Sequence, residues 1–535
     1  MTLKEKYNMI SKKNHIWASL LLFVVPWLIS ACTGGAKNGQ PNIILIMSDD
    51  HARQAISAYS KNLIQTPNID RLAAEGIKFE NAFVTNSICA PSRAVILTGK
   101  YSHLNGLRDN RDVFDQNQTT FPALLRQAGY YTAIVGKWHL KSKPADFDYW
   151  KILPGQGQYY NPTFIEMGDT LQAGGYATTL ITDDALRILE NRDRRKPFCL
   201  LLYHKAPHRN WMPDTSDLEL FSGQDLPLPE TFFDEYQTRS AAAHEQDMRV
   251  AKMWNSFDMK MDISDEDPAN TGGKAGFDPA AAWQATLNRL NAEQRTAWDK
   301  HYKPLIEDFR RQKLTGKAMA RWKYQRYIKD YLRCIASVDR NVGRVLDYLD
   351  RSGLAASTIV IYTSDQGFYL GEHGWYDKRF MYEESMSTPL LIRYPGHIRA
   401  GSVSQALALN LDFAPTFLRA AGIPVPDEMQ GVPLQSLFDG QTPPSWRKAV
   451  YYHYYEYPHG WHRVKRHYGI RTDRYKLIHF YNDIDAWELF DLQQDPHELN
   501  NLIDQPLYKE TVDKLKKQLK QLRLTYQDIE EPPLD

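Results

Sequence analysis

Asn42-Ile43-Ile44-Leu45-Ile46-Met47, running straight into Ser48-Asp49-Asp50, is the stretch on which the fold turns. A short unbroken apolar run bounded by polar residues is the mark of a strand buried on both faces, as in the middle of a parallel sheet. Two further runs have the same form. Residues 358–363 lead into Ser364-Asp365-Gln366-Gly367, and residues 131–135 lead into Gly136-Lys137-Trp138-His139. Between these runs lie helical patterns at 68–75, stopped by Gly76, and at 121–127, stopped at Gly129. An amphipathic helix at 177–190 precedes a strand at 198–203, and a long helix at 327–349 precedes the strand at 358–363 and another at 390–393. Strands alternating with helices predict an α/β fold, a mostly parallel sheet sandwiched by helices.

The rhythm fails between residues 213 and 326, a polar, Met- and Trp-bearing stretch that reads as an insertion on the substrate side. After residue 445 the texture changes again. Runs at 450–455, 468–471 and 475–480 predict antiparallel strands, and a basic helix at 507–526 would pack across them. The expected organisation is therefore an α/β domain at 41–445, carrying the insertion, and a smaller C-terminal antiparallel-sheet α+β subdomain at 446–535. The acidic tail, 528–535, reads as solvated. At 535 residues and 43% hydrophobic content the chain has ample material for one large and one smaller core. A net charge of +1 gives no overall pull toward nucleic acid, which is not expected as a partner.

Residues 1–31 read as a signal peptide. Lys4, Lys6, Lys12 and Lys13 precede an apolar run at 16–29 that is short for a membrane span. Its close, Ile29-Ser30-Ala31-Cys32, looks like a bacterial lipobox, with Cys32 the lipidated first residue of the mature chain. Residues 32–40 are then a tether, without the acidic residues of some surface-exported lipoproteins. The expected location is the bacterial cell envelope, facing the periplasm. An uncleaved signal anchor is the rival reading. In an oxidising compartment Cys199 and Cys334 could pair, though their apolar settings read better as two buried thiols.

Chemistry concentrates at Cys89-Ala90-Pro91-Ser92-Arg93, which opens the apolar run Ala94-Val95-Ile96-Leu97-Thr98-Gly99. Pro91 suits the first helical turn, so Cys89 would sit at a helix N-terminus, where anions are favoured. In open α/β sheets ligands gather at the carboxyl ends of strands. Asp49, Asp50 and Asp365 supply three carboxylates there and Gln366 an amide oxygen, an all-oxygen set suited to a hard divalent ion, calcium more than magnesium. Arg93 lies one helical turn beyond Cys89. Lys137 and His139, two apart on an extended stretch, would point to one side. His208, in Ala206-Pro207-His208, follows another strand, and Lys378 follows a glycine- and aromatic-rich loop, 367–376.

In order, D-D, C-x-P-S-R, L-T-G-K-Y, G-K-W-H, A-P-H, S-D-x-G and D-K resemble the motifs of type I sulfatases over about residues 41–500. The resemblance implies an alkaline-phosphatase-like fold and the following chemistry. Cys89 is oxidised by a formylglycine-generating maturase and hydrated to a geminal diol. One calcium ion, held by Asp49, Asp50, Asp365, Gln366 and the modified Cys89, lowers the diol pKa and grips a sulfate oxygen. One hydroxyl attacks sulfur, His208 with Lys378 assists the leaving sugar oxygen, and His139 takes the proton from the other hydroxyl as sulfate is expelled. Lys137 and Arg93 stabilise the charge. Gln366 departs from the asparagine or histidine common at its position.

The loop 155–162, the segment Gly371-Glu372-His373-Gly374-Trp375-Tyr376-Asp377-Lys378-Arg379 and the histidine-rich C-terminal region resemble carbohydrate sulfatases, most of all bacterial N-acetylglucosamine-6-sulfatases acting on heparan-type fragments. By that similarity Asp377 and Arg379 would bind sugar hydroxyls, and His459 or His462 would reach in from the smaller domain. Trp211 would stack on a ring. The rivals are a sulfatase for another glycan or an aryl sulfate, a phosphoesterase of the same superfamily, and a lipoprotein that only binds sulfated glycans because Cys89 is never matured.

Overall fold

A computed structural model describes residues 39–265 and 276–534. The signal peptide and Cys32 lie outside the described residues. The central strand, Asn42–Ser48, sits in a ten-stranded sheet. From one edge the strands are Ser402–Ser404, Ile77–Phe79, Leu390–Arg393, Thr358–Ser364, Asn42–Ser48, Phe198–His204, Tyr131–Lys137, Tyr149–Leu153, Thr163–Glu166 and Asp169–Gln172. The five from Thr358–Ser364 to Tyr149–Leu153 are mutually parallel. Leu390–Arg393 runs antiparallel to both neighbours, and the last two strands form antiparallel pairings beyond Tyr149–Leu153.

The unbroken apolar runs are explained by burial on both faces. Ile44, Ile46, Leu200, Leu202 and Val360 pack on one side against the helices Ala177–Asn191 and Gly316–Arg351. Ile43, Leu45, Met47, Leu201 and Ile361 pack on the other against Cys89–Thr98, Phe121–Gln127 and Phe413–Ala420. Cys199 belongs to the second face and Cys334 to the first, so the sheet itself separates two free buried thiols.

The helix expected at 327–349 begins at Gly316, because its basic first turns pack within the 213–326 stretch rather than on the sheet. That stretch also carries the helices Pro279–Leu287 and Ala292–Gln312. Past residue 445, strands Ala449–Tyr454, His467–Thr472, Tyr475–Phe480 and Ala486–Asp491 form a four-stranded antiparallel sheet, and Lys509–Thr525 lays Val512, Leu515 and Leu519 across it. Its core is continuous with Val95, Tyr369, Trp375 and Phe380. The smaller sheet thereby braces both the helix that starts at Cys89 and the loop that carries Lys378.

The tail is not simply solvated. Asp528 is buried, accepts from His453 Nδ1 at 2.6 Å and pairs with Tyr451, while Glu531 pairs with Arg108 at 3.2 Å and Arg466 at 2.6 Å. A buried histidine partner and two half-exposed arginine ion pairs outweigh the tail's preference for water.

Candidate active site

Strand register assembles the site. Ser48 stands opposite both Ser364 and His204, and Gly136 opposite Tyr203. The residues that follow, Asp49, Asp365, Lys205 and Lys137, therefore emerge side by side at the carboxyl edge of the sheet. Asp50 N–H donates to Asp365 Oδ1 at 3.1 Å, tying the two acidic strand ends together.

Cys89 is the first residue of the helix Cys89–Thr98, and all of that helix is buried. Its Sγ, a carboxylate oxygen of Asp49 and a ring nitrogen of His208 lie within 4.8 Å of one another. Burial pushes the thiol pKa up, so an unmodified Cys89 is a protonated, weak nucleophile. Arg93 donates from Nε and Nη2 to Asp365 Oδ2 at 3.1 and 2.8 Å, and from Nη1 to the Lys137 carbonyl at 2.5 Å. Lys137 pairs with Asp49 and donates to Gln156 Oε1 at 2.5 Å. Lys378 donates to Asp50 Oδ1 at 2.5 Å.

The carboxylates of Asp49, Asp50 and Asp365 converge within 4.8 Å. Burial would raise Asp49, but Lys137, His208, Arg93 and Lys378 hold it well below the usual carboxylate range. Burial pushes Asp50 up to about 7, with Lys378 opposing and the neighbouring carboxylates adding, and burial with Asp49 pushes Asp365 up to about 6. Asp49 Oδ1, Asp50 Oδ2 and Gln366 Oε1 are buried acceptors with no donor. Orphaned acceptors beside crowded carboxylates are costly, and a hard divalent cation satisfies both conditions at once. The donor set fits such an ion. Gln366 also donates its amide to Asp50.

His208 donates Nδ1–H to the Arg209 carbonyl at 2.6 Å, which leaves Nε2 facing Asp50 Oδ2 at 3.8 Å. Burial and the lysines around it lower its pKa well below the ordinary value. His139 does not continue the extended strand as expected. Its φ of 61° turns the chain into the left-handed region directly after Lys137, yet the ring stays within the field of Lys137 and Asp49, with Nδ1 buried and unpartnered.

Asp377 links Arg379 and His462: it pairs with Arg379 and accepts from His462 Nε2 at 3.1 Å, while Arg379 Nε reaches Glu456 at 3.2 Å. His462 comes from beside the smaller sheet, but it is buried against Asp377 and does not reach the cavity wall itself. Asp50, His139, Asp377, Arg379 and His462 all have positive φ, a concentration of backbone strain typical of a site held by its surroundings.

Two expectations fail. Trp211 is fully buried against Tyr327, Phe368 and Tyr376, with ring centroids 4.6–6.4 Å apart, so it packs the core and cannot stack on a ligand. His459 is exposed and outside the cavity, because the chain turns at Gly460 to bring His462 inward.

A cavity of about 340 Å³ opens above Cys89, within the range for small-ligand sites. Asp377, Lys378, Arg379 and His208 line it, together with Gln156, Tyr159, Lys205, Arg209 and Trp461, which the sequence reading passed over. Phe257, Phe277 and Arg289 add a wall from the 213–326 stretch. The neighbourhood of motifs was a usable signal for several of these. Lys205 and Arg209 flank Ala206-Pro207-His208, Gln156 lies in the 155–162 loop, and Trp461 sits one residue from His462.

Comparison with known proteins follows the same lines. The family described as "Sulfatase" matches residues 41–423, and the C-terminal family of N-sulphoglucosamine sulphohydrolase matches residues 371–525. An N-acetylglucosamine-6-O-sulfatase of Bacteroides thetaiotaomicron is 49% identical over 519 residues, 96% of this chain and 91% of the relative. An arylsulfatase of Clostridium perfringens is 26% identical over 524 residues, 89% of this chain and 93% of that one. A solved structure of a protein in complex with its substrate, D-glucosamine-2-N,6-O-disulfate, superposes with a TM-score of 0.87 at 50% identity, covering 91% of this chain and 98% of the other. With a family match across most of its length and a relative at nearly half identity from end to end, this chain belongs to the sulfatase family of sulfuric ester hydrolases.

Proposed function

We propose that this protein removes the 6-O-sulfate from a terminal N-acetylglucosamine or glucosamine of heparan-type glycosaminoglycan fragments, acting from the chain end. The observation that carries the reading is a cavity of one-sugar size lined by Cys89, Asp377 and Arg379, with His462 bonded to Asp377 from behind. The relative at 49% identity is an N-acetylglucosamine-6-O-sulfatase, which supports the choice of sugar.

Maturation of Cys89 to formylglycine would supply, as its hydrate, the oxygen nucleophile. A calcium ion held by Asp49, Asp50, Asp365 and Gln366 would polarise a sulfate oxygen and acidify that nucleophile. The chain's own groups do the rest. Lys137, Arg93 and Lys378 surround the sulfate oxygens with positive charge that is already oriented by ion pairs, so little reorganisation is needed as charge develops. His208 presents Nε2, its Nδ1–H being committed to the Arg209 carbonyl, and gives a proton at Nε2 to the departing sugar oxygen. An incoming sulfate opposes the lysines that depress the His208 pKa and favours the protonated form this step needs. His139, with Nδ1 buried and unpartnered, takes the proton released on the nucleophile's side. Asp377 and Arg379 hold sugar hydroxyls, and His462 orients Asp377. An analogue lacking those hydroxyls leaves buried polar groups unpaired and is rejected.

The test is a panel of monosulfated mono- and disaccharides, with aryl sulfate and aryl phosphate alongside, read by released product. Desulfation confined to other positions, or turnover of phosphate over sulfate, defeats the proposal. Peptide mass at Cys89 separates an enzyme from a binder that is never matured. We also propose that the protein is a periplasm-facing lipoprotein anchored through Cys32. Cys32→Ala should then move it from the membrane to the soluble fraction, and an unchanged distribution rules the anchor out.

A further inference from the structure

A second groove lies outside the catalytic cavity and shares no lining residue with it. It encloses about 680 Å³ between the loop at 221–228 and the helices Ala292–Gln312 and Gly316–Arg351. Trp322, Arg326, Lys329 and Arg333 recur every three or four residues on the longer helix and so share one face of it, turned into the groove. The last three spread positive charge along about 10 Å of that wall.

The protein does not neutralise this face. Asp330, fully buried, pairs with Lys260 and Arg333, both at 2.9 Å, and also accepts from the Tyr302 hydroxyl at 2.9 Å. Arg326 is left without a carboxylate partner among the described residues. Its Nη2 donates to the Met259 carbonyl at 2.7 Å, and its buried Nε has no acceptor. Lys329 has only the well-exposed Asp225, at 3.7 Å, and Asp308, the other acid on the lining, is taken by Arg311. Burial, and then repulsion from Arg333, lowers the pKa of Arg326, Lys329 and His301, as expected where cations are crowded. His301, on the opposite wall, has the converse need. Its Nδ1 meets Glu219 Oε1 at 3.2 Å and must donate, since a carboxylate only accepts. Nε2 of the neutral ring is then an acceptor, and it is buried without a partner. The groove therefore calls for an anion beside its cations and a hydroxyl beside its imidazole.

We propose that this groove binds an anionic, hydroxyl-bearing saccharide, a short stretch of sulfated or uronate-containing oligosaccharide, separately from the sugar whose sulfate is removed at Cys89. Its sulfo or carboxylate groups pair with Arg326 and Lys329, a hydroxyl donates to His301 Nε2, and half-buried Trp322 offers an aromatic face to a ring. An inorganic anion supplies no hydroxyl donor. A phospholipid gathers its charge at one end, whereas here the charge runs along the wall. The inference goes beyond the reaction at Cys89 and does not depend on which sulfate is removed there. Its consequence is that the enzyme holds long anionic glycans at a place other than the cavity, which raises their effective concentration at the cavity mouth.

The experiment uses the full chain with Cys89→Ala, its cavity saturated with N-acetylglucosamine-6-O-sulfate, titrated by calorimetry with a heparin-derived hexasaccharide. The expected result is one further site per chain, weakened by added salt and weakened about tenfold by Arg326→Gln or by Lys329→Gln. Lys329→Gln, at a partly exposed position, keeps the test open should Arg326→Gln fail to fold. The matured Lys329→Gln enzyme should turn over the monosaccharide as the wild type does. Absence of a further site overturns the inference, and so does an affinity unchanged in both variants, which would leave the hexasaccharide in the catalytic cavity. Inorganic sulfate that displaces the hexasaccharide at equal concentration would make this a site for a bare anion and defeat the saccharide. Binding of anionic phospholipid vesicles through Lys329, with none of the hexasaccharide, would reassign the groove to a membrane surface. Failure to release any 6-O-sulfate removes the reaction proposed above and leaves the groove standing, because the groove is read by binding alone.

Discussion

The decisive residue is Cys89, and its environment argues against a thiol doing the chemistry. Burial raises its pKa, so the unmodified side chain is neither an anion nor a source of the oxygen that hydrolysis needs. Cys89→Ala should therefore lower kcat by about 10⁴-fold or more, as should protein made without the maturase, both read by sulfate release. His208→Ala should cost about 10²–10⁴-fold on a sugar sulfate and much less on an aryl sulfate whose leaving group needs no proton. Equal losses on the two substrates would deny His208 its role at the leaving oxygen. At this scale the sequence was most legible. Cys89, Arg93, Lys137, His208 and Lys378 all meet where expected, whereas Trp211 and His459 do not. An aromatic or histidine beside a motif carries no mark of which way the chain turns, and a positive φ at Trp211 and a turn at Gly460 decided those two.

At the scale of elements, the site depends on strands that end in register. Gly136 has φ 101°, and a Cβ there would stand 1.9 Å from the Tyr203 carbonyl of the adjacent strand. Gly136→Ala should destabilise the fold by about 3 kcal/mol or more and displace Lys137, checked by calorimetric melting and by loss of turnover. A melt within a degree of wild type would show that the strand end yields. The elements themselves were readable where apolar runs were continuous, as at Asn42–Ser48 and Thr358–Ser364. The strands Tyr149–Leu153, Thr163–Glu166 and Asp169–Gln172 were not, because they extend the sheet toward its edge, where burial is partial and the pattern weak.

For the whole molecule, burial of neutral histidines links stability to pH. His204 and His467 are fully buried, and desolvation lowers both to about 3. His467 accepts from Met381 N–H and donates to the Lys465 carbonyl, an arrangement that only the neutral ring can make. In the unfolded chain both would bind protons below pH about 6.5, while the fold would not until near 3. The unfolded state thus binds more protons in that window, and stability present at neutral pH should drain away as pH falls from about 6.5 toward 3. Urea midpoints across this range measure it, and His467→Gln should flatten the slope. The orphaned oxygens of Asp49, Asp50 and Gln366 predict a second linkage. Free calcium at 100 times its Kd should add about 2.7 kcal/mol, chelation should lower the melting temperature, and Asp365→Asn should reduce the calcium response. A melt indifferent to chelator would count against the ion.

The sequence by itself determined the layered sheet, the residues at its strand ends and the helix that begins at Cys89. Those features arise from local pattern: continuous apolar runs, a proline in a first turn, polar residues where burial stops. What only the tertiary structure decided is which side chains share the cavity. Lys205 with Arg209, then Arg289, then Trp461 come from three segments far apart in the chain, and their meeting depends on how the 213–326 stretch and the smaller sheet close over the strand ends. Long-range packing leaves no local periodicity behind, so a sequence can announce the chemistry of a floor and stay silent about its walls.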